Sequence, residues 1–470
     1  MASDQFRQQL KREAARWRQD DWISPDQHAR LAEHYRWEAL EETNRGRFTT
    51  ALVGIGCVLI GIGCITFVSA NWQWIPRGLK VALLLTVFLA ISLGGFSLLQ
   101  RPRPAQQRLG QGLMLLAALV LGGNLALMGQ LFHQSGSGYG LCLVWGLGTL
   151  AMAYGLGLTS LGVLAQILVG IGYLLWNRDV PWLGTGTALD LNTLLQHMPL
   201  VTLALFLPLA YHNRSRSIFV LTAIGLAGFL IVSIGQLSTI ALPIGPAMAL
   251  MLTLPVSLLW VYDDRPWLRQ GPTTGGTSAE SGFRPLSRAI AIVCLGGTLY
   301  VGSFSGVWDN APLQQTSDPT TGPVTLWVSV VTLTAAALWG WIYLGWPSRT
   351  GNWGLTSTNG VVLGFLVLMA GTSLMHWSGE PIAIGATVLF NVLLAVLGIG
   401  TMREGLDDGD RSRFWCGLTL LVLQIFSRVL EYNTGLLVKS FTFLLCGVAV
   451  IVLSLWFERY VRPSNRRSIS

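Results

Sequence analysis

The stretch "ALVGIGCVLIGIGCITFVSANWQWIPRGLKVALLLTVFLAISLGGFSLL", residues 51–99, decides the fold. It holds two apolar runs, 50–70 and 79–99, each about the roughly 20 residues a helix needs to cross hydrocarbon. Between them, "SANWQWIPRG" supplies Trp72, Trp74 and Pro76, which read as an aromatic anchor and turn at a membrane boundary, with Asn71 capping backbone groups. A ligand-facing loop is the other reading of this segment. Within the first run, "GIGCVLIGIGC" repeats Gly54, Gly56 and Cys57 seven residues later as Gly61, Gly63 and Cys64. Two helical turns separate the copies, so the small residues form a stripe that lets another membrane helix approach closely.

The same pattern continues along the chain. Apolar runs at 50–70, 79–99, 109–131, 139–156, 159–176, 197–211, 217–235, 240–262, 287–305, 323–346, 355–376, 381–402, 414–431 and 437–457 predict an all-α, polytopic membrane helix bundle. The expected number of crossings is 14, within a range of 12 to 14. The pair 139–156 and 159–176 has a very short connection, and 197–211 is short and contains Pro208. Composition agrees: only 11% of the 470 residues are charged, whereas a soluble domain carries about 25%. Residues 1–48 are strongly charged and too long for a signal-peptide n-region, so the sequence predicts no cleavable signal.

Charge bias orients this layout. With the N-terminus in the cytoplasm, 26 Lys and Arg residues fall in 1–49, 100–108, 212–216, 263–288, 347–354, 403–413 and 458–470. Only Arg77, Lys80 and Arg178 fall on the opposite side, and a layout slipped by one span midway would destroy the asymmetry. Both termini are therefore expected in the cytoplasm. The net charge of +8 is accounted for by topology and by anionic lipid on the cytoplasmic face, without nucleic acid.

Two domains are expected: a cytoplasmic helical hairpin over 1–48 and a membrane domain over 49–470, with a flexible loop at 265–286. In the hairpin, Phe6, Leu10, Ala14 and Trp17 share one helix face. "WISPDQ" then offers Ser24 as N-cap, Pro25 at the first helical position and Gln27 at the third, a capping box. A unit this small builds little core of its own, so it is expected to dock on the membrane domain, on headgroups or on a protein partner. His28 and His34, six apart, are poorly placed to hold a metal together.

Candidate chemistry is sparse. All six cysteines lie in apolar runs without CxxC or Cys/His spacing, which points to packing, and neither metal nor cofactor is expected. Gln130 and His133 in "GQLFHQSG" are three apart, with Asn124 nearly two turns deeper. His133, His197 and His376, with Asp179, Asp190 and Glu380, all fall near the outer boundary. Such a set suits zinc or proton relay, but it comes from separate hairpins, and interfacial histidines are ordinarily hydrogen-bonded anchors. "SRVLEYNTGLLVK" contains Arg428, Glu431 and Lys439 between the last two apolar runs. Charge in hydrocarbon is costly, from about 2.5 kcal/mol per residue at the bilayer centre. Arg428 and Glu431 can pair at a spacing of three, and Lys439 can reach the same region. They read either as a clasp between the last two helices or as a cationic seat for an anionic lipid or solute, with Glu431 as counter-ion or proton acceptor. No Walker A, HExxH or serine-nucleophile motif is present.

Three stretches carry a family likeness: "LKREAARWRQDDWISPDQHARLAEHY", the first span leading into "FVSANWQWIPRGLK", and "NLALMGQLFHQSG". Over residues 8–140 the chain resembles the bacterial predicted membrane proteins called domain of unknown function 2157. The resemblance implies a bacterial cytoplasmic (inner) membrane protein and supplies no catalytic residues. Three functions remain open: a transporter or flippase for a small anionic solute or lipid-linked substrate; a non-catalytic scaffold, assembly or sensor module recruiting a partner through its head; and, with least support, an intramembrane enzyme on a lipid-linked substrate. The candidate ligand residues are Arg428, Glu431, Lys439, Gln130, His133 and Asn124.

Overall fold

Backbone amides in hydrocarbon have no water to bond, so apolar runs of this length must satisfy them internally as helices. The computed structural model describes residues 10, 13–14, 16–20, 22–35, 52–63, 66–67, 76–131, 137–179, 191–240, 242–264, 282–309, 325–345, 356–431 and 435–467. Among these residues the regular structure is helical throughout. Eleven of the helices are long and apolar enough to cross a membrane. Two shorter apolar helices, Leu52–Gly63 and Met198–His212, and the apolar stretch Lys439–Val452 within a longer helix fall where the runs 50–70, 197–211 and 437–457 predict spans. Met198–His212 is held to 15 residues, with proline in its first turn and Pro208 in its interior.

The chain divides into two compact units, Met1–Asp179 and Val180–Ser470. In the first, α1 is Pro25–His34. Ser24 and Gln27 cap it reciprocally: the Ser24 N–H donates to Gln27 Oε1 at 2.9 Å, and the Gln27 N–H donates to Ser24 Oγ at 3.2 Å. Ala14 is fully buried, with Leu10, Trp17, Ile23, Leu31 and Tyr35 packed around it. The rest of the expected hairpin, residues 1–9, 11, 12, 15, 21 and 36–48, lies outside the described residues. Ser24→Ala should weaken the start of α1 by about 1 kcal/mol, seen as faster amide exchange over its first turn in the intact protein.

The other helices of this unit are α2 (Leu52–Gly63), α3 (Arg77–Leu99), α4 (Pro104–Leu131), α5 (Gly138–Leu156) and α6 (Thr159–Asp179). They pack mainly as neighbouring hairpins, α3 on α4 and α5 on α6. The stripe on α2 is narrower than the repeat implies. Cys57 is buried with Leu116 and Val120 of α4, and a Cβ on Gly61 would stand 2.8 Å from Leu116 Cδ1, whereas Gly54, Gly56 and Gly63 face open space. Residues 57 and 61 lie one turn apart, so a single face carries the contact. The short α5–α6 connection works because Gly157 adopts φ 65°, a left-handed cap that reverses the chain at once.

The second unit comprises α7 (Leu191–Gln196), α8 (Met198–His212), α9 (Arg216–Ile240), α10 (Ile244–Val261), α11 (Arg284–Gly302), α12 (Ser305–Asp309), α13 (Thr325–Gly345), α14 (Ser357–Ser378), α15 (Ala383–Asp407), α16 (Arg411–Glu431) and α17 (Leu436–Arg467). Its hub is α10, which touches α9, α11, α13 and α14. Val256, Leu295, Leu299, Met369 and Phe390 form the centre of its largest apolar cluster. The α15–α16 hairpin closes tightly where Gly417 lies against Gly398. A Cβ on Gly417 would stand 2.5 Å from the Gly398 carbonyl oxygen and 2.6 Å from the Met402 nitrogen.

Candidate functional site

Arg428 and Glu431 occupy the last turn of α16 and form an ion pair, with side chains only 15% and 17% exposed. Neither charge is left to its partner alone. Arg428 Nη1 donates to the Ser303 carbonyl at 2.6 Å, and the guanidinium carbon sits 4.3 Å from the centre of the Phe304 ring. Glu431 Oε1 accepts from both the N–H and the hydroxyl of Ser305, each at 2.9 Å. The pair therefore grips residues 303–305, the corner joining α11 to the five-residue α12. That corner explains how charge is tolerated here: the arginine takes a carbonyl freed by the end of α11, and the glutamate takes an amide freed by the start of α12.

The grip differs from a clasp between the last two helices. Lys439 lies on α17, partly buried, and the partners of Arg428 and Glu431 come instead from 303–305. Further amides reinforce the corner. Asn391 of α15 donates to the same Ser303 carbonyl at 3.0 Å and to Thr387 at 2.8 Å. Gln424 of α16 donates to the Asn391 carbonyl at 2.8 Å. Both were legible as lone amides within apolar runs, a signal the charges overshadowed.

On the far side of α12, Trp308 is buried against Phe390 and His376, and its indole N–H donates to the Gly302 carbonyl at 2.6 Å. The His376 tautomer follows from its neighbours. Nδ1 accepts the Ile382 N–H at 3.0 Å, so the proton sits on Nε2, which donates to the Trp308 carbonyl at 3.0 Å. Both nitrogens are occupied, which suits an anchor rather than a metal ligand. His197 has a different partner, with Nδ1 2.7 Å from Ser329 Oγ, and His133 lies outside the described residues.

The other candidates belong to the first unit. Asn124 is buried and donates to the Leu84 carbonyl at 3.0 Å, tying α4 to α3. Gln130 is exposed near the end of α4.

One important carboxylate escaped the sequence reading. Asp264 is buried, and its two oxygens accept the backbone N–H groups of Phe283 at 2.9 Å and Arg284 at 2.8 Å, capping α11 from across residues 265–281. Tyr211 also donates to Asp264 and meets Tyr262. Burial pushes the Tyr262 hydroxyl above its ordinary value and keeps it protonated. A helix opening at Pro285 without a capping side chain at Phe283 was the available clue.

One guanidinium edge is left over. Among the described residues, Arg428 Nε and Nη2 are buried and have no acceptor, although Nη1 is fully engaged. These two atoms form the side-on fork that matches two oxygens of a carboxylate or phosphate.

No curated protein and no solved structure matches the chain. The corner and the Arg428–Glu431 pair lie beyond the stretch that a family model covers. Residues 15–162 match the model of the predicted membrane proteins DUF2157, and there the chain carries that family's domain.

Proposed function

We propose that the protein is a transporter- or flippase-like membrane protein for a small anionic solute or an anionic lipid-linked substrate, with Arg428 as its cationic seat. The observation carrying this reading is the empty guanidinium edge. An unmade hydrogen bond to a buried group costs about 1–3 kcal/mol, and more when the group is charged. A clasp alone gains nothing from carrying two such donors, whereas a seat needs them. By charge bias, the seat lies toward the outer end of the bundle, with both termini cytoplasmic in a bacterial inner membrane. Lys439 is a further candidate beside it, and Asn124, Gln130 and His133 are candidates for polar ligand contacts in the first unit. Both edge atoms are shut from solvent, so a ligand reaches them only when the packing around them moves.

Arg428→Lys provides the test, because it keeps a cation for Glu431 but loses the planar fork. In delipidated protein, phosphatidylglycerol should be retained over phosphatidylcholine, and Arg428→Lys should weaken that preference by about tenfold, the equivalent of about 1.4 kcal/mol. Equal retention of both lipids by the natural protein, together with no binding of inorganic phosphate, sinks the reading.

A second reading is favoured by Trp22, which is 74% exposed on a turn whose N–H bonds back to the Trp17 carbonyl at 2.8 Å. Residues 1–48 then form a cytoplasmic head that presents a tryptophan to a protein partner, the residue type most often dominant in such contacts. A phenotype produced by deleting residues 1–45 but absent in Arg428→Lys favours this reading.

A further inference from the structure

We infer that anion binding at Arg428 is coupled to uptake of one proton, held by Glu431. This rests on the seat reading above and specifies its ligand and its energetics. The ligand class is an oxyanion with two adjacent acceptor oxygens, a phosphate, phosphodiester or carboxylate, lying against Nε and Nη2 of Arg428. The argument is one of charge balance in a place with little water. Arg428 and Glu431 are both more than four-fifths buried and neutralise each other. An anion entering the fork leaves two negative charges against one positive, and a surplus buried charge is removed most cheaply by protonation.

Glu431 is the group placed to accept that proton. Its Oε1 is fixed by the two Ser305 donors, while Oε2 faces the guanidinium whose field the anion would share. The protonated acid keeps its Oε1 bonds to Ser305, so the corner survives the change. The remaining titratable groups on the packed elements are less suited. His376 has both nitrogens engaged. Asp309 and Glu380 are exposed, where water rather than the pair sets their charge, and neither Tyr300 nor Lys439 is a carboxylate that an incoming anion would neutralise. The proton comes from water and leaves with the anion, so the occupied and empty sites have the same net charge.

The sign follows directly. The occupied state holds one more proton than the empty state, so affinity rises as pH falls, by about tenfold per pH unit where coupling is complete. The measurement is anion affinity in detergent-solubilised, delipidated protein between about pH 5 and pH 8. Two probes that stay singly charged across this range are used, dimethyl phosphate and phosphatidylglycerol; the one that binds identifies a solute or a lipid source. Proton uptake is read in parallel from an indicator dye in weak buffer, with Glu431→Gln and Arg428→Lys compared. Expected results are one proton taken up per anion by the natural protein, and binding by Glu431→Gln with neither pH dependence nor proton uptake. Anion binding by the natural protein with no proton uptake overturns the coupling and leaves the seat standing. Absence of binding by either probe overturns both. The natural protein's proton count decides the coupling even if Glu431→Gln fails to accumulate.

Discussion

Arg428→Met should destabilise the protein more than Arg428→Met combined with Glu431→Gln. The single change removes the cation and strands the Glu431 carboxyl group at 17% exposure, and orphaning one member of a buried pair costs about 3–5 kcal/mol. Adding Glu431→Gln removes the stranded carboxyl group and keeps an oxygen for the Ser305 donors at 2.9 Å. The double variant should therefore recover most of the loss, because apolar replacement of a buried ion pair is often close to neutral. The check is the apparent thermal midpoint from tryptophan fluorescence at one scan rate, since membrane proteins commonly unfold irreversibly. A double variant no more stable than the single one would show that the pair contributes through some other contact.

The second large effect concerns the α15–α16 hairpin, where two substitutions of the same kind should act oppositely. Gly417→Ala places a methyl carbon 2.5 Å from the Gly398 carbonyl oxygen and 2.6 Å from the Met402 nitrogen. Both are backbone atoms, so the helices must separate, and overpacking of this kind costs about 1–3 kcal/mol or more. Gly400→Ala on the same helix pair meets nothing within 4 Å and should gain up to about 1 kcal/mol of helix propensity. Yield and protease resistance of the two variants, side by side, test the pair. Equal behaviour would mean that the hairpin is looser than its geometry.

Much of this fold can be read from residues 51–99 and their repetitions, because length and apolarity alone dictate membrane helices. The capping of α1 by Ser24 and Gln27 was equally legible, being local and built from side chains with few alternatives. The spacing of Arg428 and Glu431 likewise places two charges on one turn. Their outside partners were not legible, for a physical reason. Ser303 and Ser305 lie more than 120 residues away in sequence, and the groups used at the corner are largely backbone carbonyls and amides, which every residue possesses. Asn124 presents the same difficulty, since its partner is the Leu84 carbonyl. In hydrocarbon, polar side chains settle on whatever helix end or carbonyl the packing exposes, and that is a property of tertiary structure. Nearness in sequence suggested Lys439 as a further member of the cluster, whereas the partners Ser303 and Ser305 come from a stretch the spacing could not point to.

Asp264 has a consequence for how α11 begins. By bonding the Phe283 and Arg284 amides, it fastens the chain on one side of residues 265–281 directly to the chain on the other. The register of α11 against α10 is thus set at the root of the segment, by a residue that precedes it. Asp264 and the two amides it caps are 19 and 20 residues apart in sequence, so the contact is made by residues that flank this stretch and not by those within it. The start of α11 is thus held by one carboxylate just past the end of α10, and Asp264→Asn, which keeps only one acceptor oxygen for the two amides, should loosen it.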